Sequence, residues 1–259
     1  MGRILPILLL AAGLAACATK HTSISGALKL APTPEENYQY GMDELKAHNY
    51  GEATRFFEYV RAKYPFSKVS IEADLRLCDI RYDQGRYLDA AAAYEKFLQD
   101  HPSSDALDYA HYRAGVSHFR AAPGDFFLFP NSYEKDEREM DKAVSTLREF
   151  VKSRPGSQYL ADAKKTLARA EAMIAHREMY AGDFYAQRGY WAGAAGRYRG
   201  LTENYPDTPL AEPAAIKLAQ AYLQLKESHL ARQALQRFIV EHPESGQRHA
   251  AEKLLESLR

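Results

Sequence analysis

A cysteine near the start of the chain lies in the sequence context of a lipid-modification site. Cys17 follows Leu14, Ala15 and Ala16, which is the branched-apolar, small, small, cysteine order of a bacterial lipobox. In that motif the cysteine thiol is diacylated, the chain is cut before the cysteine, and the new amino group is acylated. We therefore predict diacylglycerol and an N-acyl chain on Cys17, and no other cofactor.

The residues before Cys17 have the features of a secretory signal peptide. Arg3 supplies a positive start, and the apolar run over residues 4–14 is shorter than the about 20 residues that cross a bilayer. A signal peptide with a chance cysteine is the competing interpretation. Residue 18 is alanine and not the aspartate that often retains lipoproteins at the inner membrane. We predict a protein anchored in the inner leaflet of the outer membrane and facing the periplasm.

A spaced pattern of alanine and proline runs through the rest of the chain. Five times an alanine precedes a proline by 12 residues, with apolar residues four and seven positions after the alanine, on one helix face. The alanines are Ala53, Ala90, Ala143, Ala194 and Ala231. This pattern is typical of tetratricopeptide (TPR) repeats, in which the proline ends the second helix of each pair.

Small residues in the first helix of each pair complete the repeat pattern. They occur 12 positions before four of the alanines, as Gly41, Cys78, Gly182 and Ala219. In the third repeat the equivalent is Gly115, so an insertion of about residues 120–138 separates the two helices. We therefore predict an all-α TPR solenoid of about five helix-turn-helix repeats with a C-terminal capping helix. In this interpretation Cys78 is a buried packing residue.

Composition and motifs argue against several classes of function. The chain has 34 basic and 34 acidic side chains, so it has no general attraction for nucleic acid. The sequence contains no phosphate-binding loop and no nucleophile elbow, and its histidines and two cysteines do not form a zinc pattern. We predict that the protein is not an enzyme, with no catalytic residues, no metal and no nucleic-acid partner.

Several short motifs occur in a defined order along the repeats. They are Tyr64-Pro65-Phe66, Leu107-Asp108-Tyr109, Phe126-Phe127 in the insertion, and Arg188-Gly189 followed by Trp191 and Arg197. In this order they resemble the BamD (also called ComL) family, the TPR lipoproteins of the outer-membrane β-barrel assembly machinery. The resemblance covers nearly the whole chain. The insertion departs from the family's Gly-rich loop. It is interpreted either as a docking element or as a surface loop that packs on itself.

The lipobox, the repeat pattern and the resemblance together predict a division of the chain into functional segments. Residues 1–16 would be the signal peptide and residues 17–33 a lipidated flexible tether. Residues 34–157, repeats one to three, would bind unfolded β-barrel precursors. Residues 158–259, repeats four and five with the cap, would dock on the periplasmic domain of BamA.

The resemblance also implies which residues make these contacts. Candidates for substrate binding are Tyr64, Phe66, Tyr109, Phe126 and Phe127. Candidates for partner binding are Arg188, Trp191 and Arg197. Other Bam lipoproteins are further expected partners, and the implied function is a scaffold that promotes folding and insertion of outer-membrane proteins. The alternative is another periplasmic TPR lipoprotein, such as a coordinator of envelope constriction or peptidoglycan synthesis.

Overall fold

The computed structural model describes residues 29–122 and 138–258, and these residues form eleven α-helices. Cys17, Phe126 and Phe127 lie outside the described residues. The helices are α1 Pro34–Lys46, α2 Tyr50–Lys63, α3 Lys68–Asp83, α4 Tyr87–Asp100, α5 Leu107–Ala121, α6 Arg138–Ser153, α7 Leu160–Gln187, α8 Trp191–Asn204, α9 Ala211–Gln224, α10 Ser228–Glu241 and α11 Arg248–Glu256.

The helices are arranged as five consecutive pairs followed by a single short helix. Each helix packs mainly on its neighbours in sequence, which is the arrangement of a solenoid. The first helix of a pair also contacts the first helix of the next pair, as α5 does with α7. The predicted all-α TPR solenoid with a C-terminal capping helix is confirmed.

Close helix crossing explains the small residues of the repeat. A Cβ atom added to Gly41 would lie 2.7 Å from the Phe57 ring, and one added to Gly182 would lie 2.4 Å from the Tyr198 ring. Real Cβ atoms do not approach other atoms this closely, so only glycine fits these crossings. Cys78 is 3% exposed and occupies the same position, which confirms its packing role.

The turn between the two helices of a pair has the same backbone conformation in four repeats. His48, Gly85, Gly189 and Lys226 occupy one position of the repeat, and all have positive φ, between 59° and 77°. The equivalent residue of the third repeat is Ala122, with a φ of −62°. The insertion therefore begins at the position where the other repeats have a residue of positive φ.

Helix α7 connects the two halves of the solenoid. Its 28 residues extend through two hydrophobic clusters, with Leu167 and Ile174 packed in the cluster of the third repeat. Ala175 and the partly buried Met179 belong to the cluster of the fourth repeat. One continuous helix in both cores holds the two halves at a fixed spacing. Within the described ranges, no helix has the length and apolar character needed to cross a membrane.

Candidate functional site

A groove of about 840 Å³ lies along the first helices of the N-terminal repeats. Its walls come from α1, α3, the start of α5 and the turn before α7, so it extends across four repeats. The lining residues include Tyr38, Lys68, Ile71, Glu72, Leu75, Arg76, Asp105, Tyr109, Gln158 and Tyr159. A long, open groove with aromatic, aliphatic and charged walls suits an extended peptide better than a small molecule.

Tyr109 is the predicted substrate residue that lines this groove. It lies in the first turn of α5, where its hydroxyl donates to Oδ1 of Asp79 at 2.8 Å. Its ring centroid is 5.6 Å from that of Tyr159, which lies directly before α7. The guanidinium carbon of Arg76 lies 5.9 Å from the Tyr109 ring centroid. The groove wall here is therefore an aromatic surface next to a cation.

Asp79 is the centre of a polar cluster beneath the groove. It is 5% exposed, and its Oδ1 also accepts from the Tyr94 hydroxyl at 2.5 Å. Its Oδ2 lies 2.5 Å from Nη1 of Arg76 in an ion pair. Arg113 donates through Nε to the Tyr94 hydroxyl at 3.2 Å and lies 3.7 Å over the Tyr82 ring. Two cations thus compensate one buried carboxylate.

Burial and charge fix the protonation states of this cluster. Burial raises the pKa of the Tyr94 and Tyr109 hydroxyls, and the negative charge of Asp79 raises both further. Both tyrosines therefore stay protonated and donate to the carboxylate. Burial opposes the charge of Arg113, but the surrounding tyrosines raise its pKa, so it remains a cation. Groups locked in these states are suited to shaping a surface and not to transferring protons.

Tyr64 and Phe66 lie at the turn between α2 and α3 and are not among the residues that line the groove. The Tyr64 hydroxyl donates to the carbonyl of Pro32 at 3.4 Å, and its ring meets the edge of Tyr59. Phe66 is fully exposed, two residues before the groove residue Lys68. The structure therefore places these two residues near one end of the groove but does not bring them together with Tyr109.

The three predicted partner-binding residues follow α7 in the chain. Arg188 comes directly after its last residue, and Trp191 and Arg197 lie on α8. Arg188 is exposed, and its guanidinium carbon stacks 3.4 Å from the centroid of the Phe184 ring. Trp191 begins α8 and packs partly buried against the core of the fourth repeat. Arg197 contacts Glu178, with Nη1 3.2 Å from Oε2. Arg188 and Trp191 are thus close in the chain, while Arg197 faces the middle of α7.

The comparisons with known proteins agree with the motifs in the sequence. A profile of the YfiO family, described as outer membrane lipoprotein, matches residues 31–236. The chain belongs to this family. The outer membrane protein assembly factor BamD of Pasteurella multocida (strain Pm70) is 28% identical over 81% of this chain and 82% of its own length. BamD of Neisseria gonorrhoeae is 27% identical over 89% and 88%.

Among solved structures, the TPR2AB domain–pHSP90 complex of yeast Sti1 is 14% identical to the chain, with a TM-score of 0.40 over 86% of this chain and 84% of that one. The predicted resemblance to the BamD family is confirmed by the family match and by its named relatives. Membership of this outer membrane lipoprotein family also agrees with the predicted association with the outer membrane.

A second polar cluster, which the sequence analysis missed, repeats part of the first in the C-terminal half of this family member. The Tyr198 hydroxyl donates to Oδ1 of Asp183 at 2.6 Å, and Nζ of Lys217 donates to the same oxygen at 2.5 Å. These groups line a smaller cavity of about 380 Å³ together with Trp191. The cluster therefore adds charge to the surroundings of one predicted partner residue.

The spacing of the two clusters is a signal that could have revealed them. Aspartate precedes tyrosine by 15 residues in both repeats, Asp79 with Tyr94 and Asp183 with Tyr198. In the other three repeats, the tyrosine is replaced by phenylalanine or leucine and the aspartate by Met42, Val116 or Gln220. The paired change indicates that the two positions interact, because a buried aspartate requires a donor.

Proposed function

We propose that this protein is an outer-membrane protein assembly factor that works as a non-enzymatic scaffold. The observation that carries the proposal is the groove across the N-terminal repeats, in a chain of the YfiO family whose relatives are named BamD. Beneath the groove, Asp79 accepts hydrogen bonds from the hydroxyls of Tyr94 and Tyr109. Within residues 29–122 and 138–258, no three His, Cys, Asp or Glu side chains lie close enough together to hold a metal ion.

The groove would receive the C-terminal strand of an unfolded β-barrel protein. Such a strand alternates apolar and polar residues and ends in an aromatic side chain and a carboxylate. Tyr38, Tyr109 and Tyr159 offer aromatic surface for the apolar side chains. Lys68 and Arg76 supply positive charge for the terminal carboxylate, beside three acidic lining residues and with Arg76 already paired to Asp79. Phe66, fully exposed near one end, would contact a peptide that extends beyond the groove.

The C-terminal half would dock on the periplasmic domain of BamA, beside other Bam lipoproteins. Arg188 presents a guanidinium already stacked on Phe184, so little side-chain freedom is lost on binding a carboxylate. Phe184 is 40% exposed and Tyr190 is 63% exposed in the same region. Exposed aromatic residues beside an arginine are typical of the centres of protein interfaces.

A lipid anchor on Cys17 would hold this scaffold at the inner leaflet of the outer membrane. The tether would join the folded body at Ala31, whose N–H donates to Oδ1 of the buried Asn37 at 2.9 Å. The Asn37 amide in turn donates to the carbonyls of Ala31 and Thr33. A fully extended chain from Cys17 to Ala31 reaches about 50 Å, which would limit the distance between body and membrane.

Co-purification and depletion in the native bacterium test the function. We expect BamA to co-purify with the tagged protein, and depletion to lower the amounts of outer-membrane β-barrel proteins. Arg188→Glu changes an exposed residue and should reduce BamA recovery, whereas Arg86→Glu, an exposed residue of the N-terminal half, should not. Absence of BamA, together with unchanged β-barrel levels on depletion, would refute the proposal.

The anchor requires a separate experiment. Cys17→Ala should move the protein from the membrane fraction to the soluble periplasmic fraction, because a lipobox without its cysteine cannot be acylated. A Cys78→Ala variant is the control and should stay with the membrane. Continued membrane retention of the Cys17→Ala protein in the absence of BamA would contradict lipidation as the anchor.

A further inference from the structure

We propose that Asp79 is the positioning residue of the peptide groove, a role that rests on the proposed function. Asp79 itself does not line the groove. Arg76 and Tyr109 do line it, and both contact the Asp79 carboxylate. The carboxylate therefore acts on a bound peptide only through these two neighbours.

Each oxygen of the carboxylate holds a different wall of the groove. Oδ2 contacts Arg76, which lies one turn earlier on α3. Oδ1 accepts from Tyr109, which lies in the first turn of α5. Because one buried carboxylate binds both, the cation and the aromatic ring keep a fixed relative position. Prepositioned binding groups lose less conformational entropy when a peptide binds.

Tyr94 keeps the carboxylate itself in place. Its hydroxyl, buried on α4, donates to the same Oδ1 at 2.5 Å, and Arg113 of α5 donates to the Tyr94 oxygen. The carboxylate is thus held from α4, while Tyr109 approaches it from the groove side. Tyr94 therefore fixes the position of Asp79, and Asp79 in turn fixes the positions of Arg76 and Tyr109.

The second polar cluster separates these two roles. Asp183, Tyr198 and Lys217 correspond by position to Asp79, Tyr94 and Arg113. The position of Tyr109, however, is Pro213 in this cluster, and the position of Arg76 is Tyr180. The shared residues therefore serve the packing of repeats, whereas Arg76 and Tyr109 occur only where the groove lies.

Peptide binding to the mature, full-length protein tests this role. The probe is a fluorescent peptide with the last strand of an outer-membrane β-barrel protein, ending in phenylalanine with a free carboxylate, and a matched peptide ends in alanine. Fluorescence anisotropy gives both dissociation constants. The variants are Asp79→Asn, Tyr109→Phe and the matched control Asp183→Asn. Melting temperatures are recorded for all of them.

We expect Asp79→Asn to weaken binding of the phenylalanine-ended peptide about tenfold or more, because the amide has no charge to pair with Arg76 and only one of its two polar atoms can accept a hydrogen bond. Its preference for phenylalanine over alanine should fall as well, which loss of stability alone would not cause. Asp183→Asn should keep wild-type affinity and preference even if its melting temperature drops. Tyr109→Phe, which keeps the ring and removes one hydroxyl, should weaken binding less than Asp79→Asn.

Two results would overturn the inference while leaving the proposed function intact. One is wild-type affinity and preference in both Asp79→Asn and Tyr109→Phe, and the other is an equal loss of preference in Asp183→Asn. If Asp79→Asn does not fold, Tyr109→Phe decides, since it leaves the Asp79–Tyr94 bond in place. Failure of the unmodified protein to bind either peptide would instead refute the groove as a peptide site, and the inference with it.

Discussion

The junction between repeats two and three and the junction between repeats four and five use the same polar residues in different surroundings. The side chain of Asp79 is 7% exposed, whereas that of Asp183 is 34% exposed. In the first junction an arginine and two tyrosines contact the carboxylate directly, and in the second a lysine and one tyrosine do so.

The same repeat position can therefore either join two helices or also fix the side chains around it, depending on how far it is buried. Where water reaches the carboxylate, an aspartate–tyrosine bond adds little stability and constrains little else. Where water is excluded, the same carboxylate must be compensated by nearby donors and cations, and these neighbours become fixed with it. The buried junction lies beneath the groove, where fixed side chains matter most.

We expect the largest loss of stability when the buried Asp79 is replaced, and a much smaller loss when the partly exposed Asp183 is replaced. Asp79→Ala removes the carboxylate that accepts from the buried Tyr94 hydroxyl and from Tyr109, and it leaves the half-buried Arg76 guanidinium without its anion. We expect a loss of about 3–5 kcal/mol in the free energy of unfolding. Asp183→Ala should lose about 1 kcal/mol or less, because that site is partly exposed and solvent screens its charges. Urea denaturation followed by circular dichroism measures both, and equal losses would contradict the comparison.

A smaller effect is expected where the two junctions differ in helix spacing. Helices α7 and α8 contact each other more extensively than α3 and α4 do, which agrees with glycine at Gly182 and cysteine at Cys78. Gly182→Ala places a methyl group 2.4 Å from the Tyr198 ring and should cost about 1–3 kcal/mol.

The matched control for this prediction is Gly196, a glycine of the partner helix α8. A Cβ atom on Gly196 would have no neighbour within 4 Å, and the residue is exposed. Gly196→Ala should therefore stabilise the protein by up to about 1 kcal/mol through helix propensity alone. A neutral Gly182→Ala variant would show that the crossing of α7 and α8 can widen at little cost.

The repeat pattern was sufficient to predict the helices but not the groove. Alanine, proline and small residues at fixed spacing report on one helix face, and steric limits at Gly41 and Gly182 make that pattern strict. The long helix α7 and the position of the insertion also follow from the spacing. The family resemblance supplied the candidate site residues, which spacing alone does not identify.

The contacts of those residues depend on distances between repeats, which no single repeat encodes. Tyr109 lies in the groove because α5 begins beside α3, while Phe66, from an equally aromatic motif, is fully exposed. Asp79 is not visible in the apolar repeat pattern, because it is polar and its partners lie 15 and 30 residues away. Comparing polar positions between repeats would have found it.

The last prediction uses Cys78 as a reporter of the buried junction. Burial raises the pKa of its thiol to about 12, so at pH 8 only about one thiol in ten thousand is a thiolate, against roughly a quarter for an ordinary cysteine. Alkylation should therefore be slow and should accelerate as the pH rises toward 12. The experiment uses Cys17→Ala protein, which leaves Cys78 as the only thiol in the chain.

The same reporter distinguishes local from global loosening. In this background, Asp79→Ala should speed alkylation of Cys78, because the neighbouring junction opens more often and exposes the thiol. Asp183→Ala should leave the rate close to that of the parent protein, since the change lies two repeats away. Equal acceleration by both substitutions would mean that the solenoid opens as one cooperative unit, with α7 transmitting the loss of either junction to the other.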